Sequence, residues 1–288
     1  MTGLLALLRK LKKLIWAPFE IAYRAARFPI RTARAVLAID RTLLTRHNHL
    51  TAQYGSKLLP LIALSDLVGY GPFGLSHYSF APWSAHPLEH VLLQGLGSRF
   101  QGCHFLEIGS LRGEVLASVS PFASSVTSIT LSKKQMKELG FQQSLVDTHL
   151  MFEKDISNLE VIHANSLELD FSQLERRFNL IFIDGDHTYG AILSDTRNAL
   201  SVCAQQSALV WHDYAPGGET INETVLAGIL EGVPQAMWNR LFHVSGTSCA
   251  VLLPPAWTTR SHSDVFHPEQ VYEISLRSRN SPTAGDTG

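Results

Sequence analysis

The chain has 288 residues, of which 45% are hydrophobic and 17% are charged, and its formal net charge at pH 7 is -1. A chain of this length and composition buries a sizeable core, which argues against a protein that is disordered throughout. No apolar stretch reaches the roughly 20 residues that a membrane-spanning helix needs, and this argues against an integral membrane protein.

The first 50 residues are strongly basic, with ten Lys and Arg residues against two acidic ones. Between Leu4 and Trp16, apolar residues recur at helical spacing and the opposite face is cationic. We predict a basic amphipathic helical extension over residues 1–68. Residues 1–46 either contact an anionic membrane peripherally, or pack on the domain or on a second copy in a homo-oligomer. Nucleic acid is disfavoured as a partner, because interleaved aromatics and a nucleic-acid module are missing.

The three cysteines, Cys103, Cys203 and Cys249, are widely separated and lack the spacing of a metal site. An odd number without a disulfide framework predicts reduced, mostly buried thiols in a cytoplasmic protein. If the basic helix contacts a membrane, the protein is expected to bind peripherally at the inner membrane face. The start of the chain is not typical of a secretory signal, because its basic residues follow the apolar run. An Arg-rich organelle presequence is the remaining alternative.

Residues 69–276 are predicted to form one α/β domain. The stretch from Gly69 to Pro87 is rich in Gly, Pro, His and aromatics and predicts an irregular connection. From Leu88 onward, apolar runs alternate with helical stretches, which is typical of a doubly wound, Rossmann-like parallel sheet. Of seven strands, the last is antiparallel and forms an edge hairpin with the one before, and the polar residues 277–288 form a disordered tail. The predicted strands are His104–Ile108, Ser125–Thr130, Glu160–Ala164, Leu180–Asp184, Ala208–His212, Leu241–Val244 and Cys249–Leu253.

The segment Phe105–Glu114, FLEIGSLRGE, takes an apolar strand into an acidic, glycine-containing turn. Gly109 and Gly113 allow a sharp turn and a close approach to a ligand, and Glu107 can accept hydrogen bonds from amine or hydroxyl groups. A dinucleotide-binding turn needs glycine where Glu107 stands, and a carboxylate there repels a pyrophosphate. The segment therefore predicts a nucleoside-like guest that is neutral or cationic at this end, with a ligand-free strand-to-helix turn as the alternative.

Polar residues also follow the other predicted strands, and they are expected to converge because a doubly wound sheet binds ligands beyond the carboxyl ends of its strands. Imidazole and carboxylate groups from adjacent strand ends can meet within coordination distance, and such a set suits Mg²⁺, Mn²⁺ or a similar ion. The polar residues that follow the strands are Thr130 and Ser132 after the second strand, Asn165 and Ser166 after the third, Asp184, Asp186 and His187 after the fourth, and His212 and Asp213 after the fifth. The imidazole and carboxylate groups are those after the fourth and fifth strands.

With these motifs in this order, the chain resembles the class I S-adenosylmethionine-dependent methyltransferases, in particular a bacterial family with EIG, DGDH-Tyr and His-Asp strand ends. The resemblance implies that S-adenosylmethionine is the cofactor, with Asn165 and Ser166 near its adenine. Members of this family usually carry an acidic residue for the ribose after the second strand, where this chain has Thr130 and Ser132. The cofactor-binding residues that the resemblance implies are Glu107, Gly109, Ser110, Gly113, Thr130, Ser132, Asn165, Ser166 and Asp184.

The strand ends also look like the metal sites of catechol-type and macrolide-sugar O-methyltransferases. This resemblance implies that Asp184, His212 and Asp213 hold a divalent ion, Mg²⁺ or Mn²⁺. It also implies that Asp184 and His187 are catalytic, with His187 as the general base. A bound ion lowers the pKa of an acceptor hydroxyl, and an imidazole can then take its proton. In the metal-free alternative, Asp184 binds only the cofactor, His187 caps the next helix and His212 pairs with Asp213.

We therefore predict an S-adenosylmethionine-dependent methyltransferase that methylates a hydroxyl of a small molecule, a sugar or a glycolipid precursor. One alternative is a hydroxylase-like or other metal-dependent tailoring enzyme on the same fold. The other is a non-catalytic, membrane-associated scaffold anchored through residues 1–46, which the missing ribose carboxylate favours. No motif in the sequence identifies the methyl acceptor.

Overall fold

The computed structural model of the protein describes residues 58–68, 73–75, 77–80, 84–216 and 221–257. The predicted basic segment over residues 1–46 and the predicted tail over residues 277–288 lie outside the described residues. Within the described ranges, no helix is both long enough and apolar enough to cross a membrane.

One mixed sheet of eight strands forms the centre of the described part of the chain. The strands are β1 (Leu61–Ile62), β2 (His104–Ile108), β3 (Ser125–Thr130), β4 (Leu159–His163), β5 (Phe178–Ile183), β6 (Cys203–Trp211), β7 (Leu241–Val244) and β8 (Ala250–Leu252). The helices are α1 (Leu64–Val68), α2 (Pro87–Ser98), α3 (Glu114–Val119), α4 (Lys133–Glu138), α5 (Gln143–Thr148), α6 (Tyr189–Ser201) and α7 (Glu223–Gly232). Short 3-10 turns connect several of these elements.

The strand order is β1-β7-β8-β6-β5-β2-β3-β4, and only β8 runs antiparallel to its neighbours among the described strands. The predicted doubly wound, Rossmann-like fold with an antiparallel last strand is confirmed. The predicted count of seven strands was one short, because β1 pairs in parallel with β7. The β7–β8 hairpin therefore lies one strand in from the edge. A two-residue strand has no periodicity from which it could be predicted.

Several predicted strand limits are confirmed and others are shifted. His104–Ile108, Ser125–Thr130 and Leu241–Val244 agree with the structure. The largest shift is in β6, which starts at Cys203 although the sequence predicted Ala208. The first five residues of β6 are not buried, so hydrophobicity gave no signal for them.

The central strands are buried on both faces, as is typical of parallel sheets. Phe105 and Phe182 pack on one side of the sheet, in a core that includes side chains of α2 and α3. Leu106 and Ile181 pack on the other side, with side chains of α6 and α7. Each fully buried side chain of this kind contributes about 2 kcal/mol relative to an exposed one. The two cores hold β2 to β6 parallel, so the loops that follow these strands meet at one edge.

Candidate active site

A cavity of about 1020 Å³ lies at this edge of the sheet. Its wall is formed by the loops after β2, β3, β4 and β5 together with part of α6. Gly113 and Ser132 are outside the lining, although the resemblance implied them as cofactor residues. The other implied cofactor residues all line the cavity: Glu107, Gly109, Ser110, Thr130, Asn165, Ser166 and Asp184.

The turn after β2 is fixed by a close backbone crossing. Gly109 has a φ of 106°, in the region that favours glycine. A Cβ atom on Gly109 would lie 2.4 Å from the Cα atom of Gly185 and 2.5 Å from the carbonyl oxygen of Asp184. Glycine is therefore required for the loop after β2 to cross the loop after β5. The sequence had suggested a close approach to a ligand at Gly109, and the structure adds this backbone contact.

The hydroxyl groups near the first loop bind to the protein itself. Thr130 Oγ1 donates a hydrogen bond to the carbonyl oxygen of Ser110 over 2.7 Å, and Ser128 Oγ donates to Ser110 Oγ over 2.8 Å. Ser132 is the N-cap of α4, where its side chain accepts a hydrogen bond from the backbone N–H of Gln135. Thr130 and Ser132 thus hold the first loop and start α4, and neither supplies a carboxylate for a ribose.

Glu107 is a buried carboxyl group in the cavity wall at the end of β2. It is 3% exposed, and its Oε2 atom has no hydrogen-bond partner among the described residues. Burial, and then the carboxylates of Asp184 and Glu114, raise the pKa of Glu107 well above its usual value. An unpartnered buried oxygen is costly, so a ligand that donates a hydrogen bond to Glu107 would remove that cost.

Asp195, in α6, is a cavity residue that the sequence prediction missed. It is 1% exposed, and its Oδ1 atom has no hydrogen-bond partner among the described residues. Burial raises the pKa of Asp195 to about 6, although a hydrogen bond with Ser166 opposes the shift. The sequence did contain a signal, because Asp195 shares its helical face with the buried Ile192 and Ala199. A carboxylate on the apolar face of a helix needs a polar partner or a ligand.

The cavity lining is acidic. None of the described lining residues is Lys or Arg. One of the carboxylates, Glu114, is paired with Arg112, whose Nε lies 2.8 Å from Glu114 Oε1. Such a surface attracts cations and repels phosphate groups, in agreement with the neutral or cationic guest that the sequence predicts. The six lining carboxylates belong to Glu107, Glu114, Glu138, Asp184, Asp186 and Asp195.

Asp184 joins this cavity to a cluster of histidines. Its Oδ1 atom lies 2.9 Å from His212 Nδ1 and 3.4 Å from His187 Nε2. Asp184, His187 and His212 offer ligand atoms within 4.8 Å of one another, which is close enough to coordinate one ion. Asp213, the third metal ligand that the resemblance implied, lies beside them, with Oδ1 at 3.3 Å from His212 Nδ1 and Oδ2 at 3.6 Å from His187 Nδ1. The structure thus brings all four residues together.

Glu89 of α2 also belongs to this cluster, and the sequence prediction missed it. Its Oε2 atom lies 3.1 Å from His212 Nε2, across 123 positions in the chain. Its Oε1 atom accepts hydrogen bonds from the backbone N–H of Ser248, over 2.9 Å, and from the Ser248 hydroxyl. Glu89 also completes a capping box with His86 at the start of α2. A local pattern of this kind indicates a helix start and gives no signal of a distant partner.

The charges of the cluster stabilise one another against burial. Burial alone lowers the pKa of His212, but Asp184 and Glu89 outweigh it and raise this pKa to about 11. Burial alone raises the pKa of Glu89, but His212 and then Ser248 bring it down to about 2. The pKa of Asp184 is lowered, because His212 and then His187 outweigh burial. The pKa of His187 is raised, because Asp184 and then Asp213 outweigh burial. At neutral pH and without a metal ion, His212 is therefore an imidazolium between two carboxylates.

Residues 106–214 match the model of a protein family described as a methyltransferase domain. The chain contains a methyltransferase domain. This finding confirms the methyltransferase family that the resemblance implied. The matched range of the methyltransferase domain includes Glu107, Asp184, Asp195 and Asp213, whereas Glu89 lies before it.

Several solved structures are similar to the chain that carries this methyltransferase domain. Cofactor-bound Rv0187 from MTB is 17% identical and covers 77% of this chain and 96% of its own, with a TM-score of 0.44. The O-methyltransferase TomG from Streptomyces achromogenes, in complex with SAM, is 14% identical and covers 72% and 96%, with a TM-score of 0.43. The N-methyltransferase NodS from Bradyrhizobium japonicum WM9, with S-adenosyl-L-homocysteine, is 16% identical and covers 67% and 96%, with a TM-score of 0.41. A search of curated proteins gave no significant match.

Proposed function

We propose that the methyltransferase domain transfers a methyl group from S-adenosylmethionine to a hydroxyl oxygen of a small-molecule acceptor, such as a sugar or a glycolipid precursor, with the help of a divalent metal ion. The proposal depends on one observation: Asp184 belongs both to the acidic cavity and to the histidine cluster. A methyl donor in the cavity and an acceptor at the cluster would therefore meet beside the same carboxylate.

The cavity suits S-adenosylmethionine in charge and in hydrogen bonding. The cofactor carries a sulfonium and an ammonium group, and an acidic lining without Lys or Arg among its described residues attracts both. Its ammonium group, its ribose hydroxyls and the amino group of its adenine are hydrogen-bond donors. The unpartnered oxygens of Glu107 and Asp195 need such donors. Asp195 interacts with Ser166, which the resemblance places near the adenine, so we assign Asp195 to the amino group of the adenine. The carboxylate of Asp195 compensates in part for the ribose-binding carboxylate that this chain lacks after β3.

The donor atoms of the cluster also suit a divalent ion. Asp184 and His212 would hold the ion, together with either Asp213 or His187, and the buried Nε2 atom of His187 has no hydrogen-bond partner among the described residues. A bound ion supplies Lewis acidity, which lowers the pKa of the acceptor hydroxyl. The proton then passes either to His187, as the resemblance implies, or to Asp213, whose side chain is 36% exposed. Placing the hydroxyl in line with the methyl group supplies much of the acceleration.

Two measurements test this function on the full chain. Calorimetric titration with S-adenosylhomocysteine, with and without Mn²⁺, should show binding in both conditions. An assay with a panel of hydroxylated acceptors, sugars included, should release S-adenosylhomocysteine, and a chelator should stop the release. Failure to bind S-adenosylhomocysteine even at millimolar concentration would exclude the methyltransferase function. Full activity in chelator would leave methyl transfer in place and remove the metal from it.

A hydroxylase-like or other metal-dependent tailoring enzyme is the second candidate. The cluster favours it through its composition, because two histidines and one carboxylate are the ligand set of non-haem iron(II) oxygenases. Dioxygen uptake in the presence of Fe²⁺ and an acceptor, without release of S-adenosylhomocysteine, would favour this candidate. Release of S-adenosylhomocysteine without dioxygen uptake would exclude it.

A further inference from the structure

The geometry points to a metal site made of Asp184, His187 and His212, in which Glu89 and Asp213 orient the two imidazole rings from outside, and to a divalent transition metal ion, in preference to Mg²⁺, as its occupant. This inference rests on the proposed metal-assisted function and names the ligands and the ion class of that site. The ligand set differs from the one that the resemblance implied, because His187 replaces Asp213 as the third ligand.

One ring nitrogen of His212 faces the outer carboxylate of Glu89, and the other faces Asp184. Its Nε2 atom lies 3.1 Å from Glu89 Oε2, and Glu89 is itself held by the backbone N–H of Ser248. Its Nδ1 atom lies 2.9 Å from Asp184 Oδ1. A hydrogen bond from Nε2–H to Glu89 leaves the Nδ1 lone pair free to face an ion beside Asp184.

His187 is arranged in the same way, but here Nδ1 faces the outer carboxylate and Nε2 faces Asp184. Its Nδ1 atom lies 3.6 Å from Asp213 Oδ2, and its Nε2 atom lies 3.4 Å from Asp184 Oδ1. That Nε2 atom is buried and has no hydrogen-bond partner among the described residues. Without a hydrogen bond, this buried ring nitrogen has only its ion pair with Asp184, and an ion beside Asp184 would satisfy it.

The two rings therefore converge on one oxygen atom, Asp184 Oδ1, and each has an outer carboxylate behind it. This is the usual arrangement around metal-binding histidines, in which the second ring nitrogen donates to a carboxylate that fixes the ring. Asp213 fits the outer role better than a ligand role, because its side chain is the most exposed of the three carboxylates and it does not belong to the group whose ligand atoms lie within 4.8 Å of one another. His187, as a ligand through Nε2, then leaves the base role to another group.

The ligand set selects the class of ion. Mg²⁺ prefers oxygen ligands and near-octahedral geometry, so two imidazoles and one carboxylate suit it poorly. Imidazole nitrogen suits Fe²⁺, Co²⁺, Ni²⁺, Cu²⁺ and Zn²⁺, and the affinity of such a site rises from Fe²⁺ to Cu²⁺ and falls again at Zn²⁺. We expect a transition metal ion at the site, with positions left open for the acceptor oxygen.

The test is a titration of the full chain with Co²⁺ alone and with Mg²⁺ alone, followed by calorimetry and by the visible ligand-field bands of Co²⁺. Co²⁺ should bind about 100-fold more tightly than Mg²⁺. His187→Asn should weaken Co²⁺ binding by about 100-fold and change the bands, whereas Asp213→Asn and Glu89→Gln should each weaken it by about 10-fold and keep the bands, as outer partners do. His187→Gln checks the result if the first variant folds poorly.

Asp186→Asn is the matched control. It removes the same charge two positions from Asp184, but Asp186 accepts a hydrogen bond from the backbone N–H of Thr188 and lies outside the cluster. Co²⁺ affinity should not change in this variant. Loss of Co²⁺ binding in Asp213→Asn with normal binding in His187→Asn would overturn the inference in favour of the Asp213 set, and Mg²⁺ binding as tight as Co²⁺ would overturn the ion class.

Titration of the same samples with S-adenosylhomocysteine separates this inference from the proposed function. Binding of S-adenosylhomocysteine without any binding of Co²⁺ would overturn the metal site and leave the methyltransferase in place. Binding of Co²⁺ that depends on His187, without binding of S-adenosylhomocysteine, would support the metal site and contradict the proposed function.

Discussion

The two halves of the candidate site are held together by different forces. In the cofactor half, the loops after β2 and β5 cross at Gly109 with almost no free space, and Thr130 binds the first loop through a neutral hydrogen bond. In the histidine half, Glu89 comes from α2, while His212 and Asp184 directly follow β6 and β5, and the three residues are joined by charge. Steric changes should therefore damage the first half most, while changes of charge or pH should damage the second.

The largest effect is expected from Gly109→Ala in the cofactor half. The added Cβ atom would lie 2.4 Å from backbone atoms of Gly185, at a φ that side chains rarely adopt. We expect a loss of about 5 kcal/mol in the free energy of unfolding, measured with urea. Gly185→Ala is the control, because its Cβ atom would have no neighbour closer than 3.7 Å. Similar losses in both variants would contradict the steric account.

The next effect is expected from Glu89→Ala in the histidine half. It leaves the partly buried charge of His212 without one of its two carboxylates, so the free energy of unfolding should fall by about 3 kcal/mol. Ser248→Ala, which removes only a hydroxyl partner of Glu89, should cost about 1 kcal/mol. Urea unfolding in the presence of chelator measures both variants. Equal losses would show that packing, and not charge, joins this half.

The pH dependence of stability in chelator is a milder test of the same pair. The pKa of Glu89 falls from 4.5 to about 2 on folding, so its contribution is present above pH 4.5 and lost as the pH falls toward 2. The pKa of His212 rises from 6.5 to about 11, so its contribution is present below pH 6.5 and lost as the pH rises toward 11. The pair should stabilise the fold most between pH 4.5 and 6.5. His212→Gln should flatten this profile, and a steep rise in stability above pH 6.5 would contradict it.

Asp195→Asn should move stability and binding in opposite directions. The pKa of Asp195 rises from 3.8 to about 6 on folding, so its ionisation costs stability as the pH rises through that range. The variant should therefore be more stable than the natural chain above pH 6, while S-adenosylhomocysteine should bind about 10-fold more weakly, or about 1.4 kcal/mol. Asp147→Asn, on the exposed face of α5, should change neither quantity. Unchanged binding in Asp195→Asn would remove Asp195 from adenine recognition.

The smallest effect on the domain is expected from deletion of Met1 to Trp16. The cationic, amphipathic pattern of this segment predicts that its loss reduces co-sedimentation with anionic vesicles. The unfolding of the domain should stay the same, because both halves of the site lie in residues 84–257. Unchanged vesicle binding together with a loss of oligomers in solution would assign the segment to a contact between copies of the chain.

The first half was easier to predict from the sequence because its components are close together in the chain. Glu107, Gly109 and Ser110 form one turn, and a glycine after an apolar strand indicates that turn directly. Even there, the internal role of Thr130 and the helix cap at Ser132 could not be predicted, since a hydroxyl looks the same whether it faces a ligand or the backbone. Asp195 did carry a signal, a carboxylate on the apolar face of α6, but the sequence prediction did not use it.

The fold class, the family and the set of strand ends that meet at the cavity could be predicted from the sequence. The fold class and the strand ends follow from local periodicity and from the rule that parallel strands present their carboxyl ends at one edge. The family was implied by the resemblance of the strand-end motifs. Which of these groups contact one another depends on the tertiary packing. The packing of α2 on the sheet places Glu89 against His212, and the turn after β5 aims His187 at Asp184. Distances between residues far apart in the chain depend on how the elements pack, and no local pattern in the sequence encodes them.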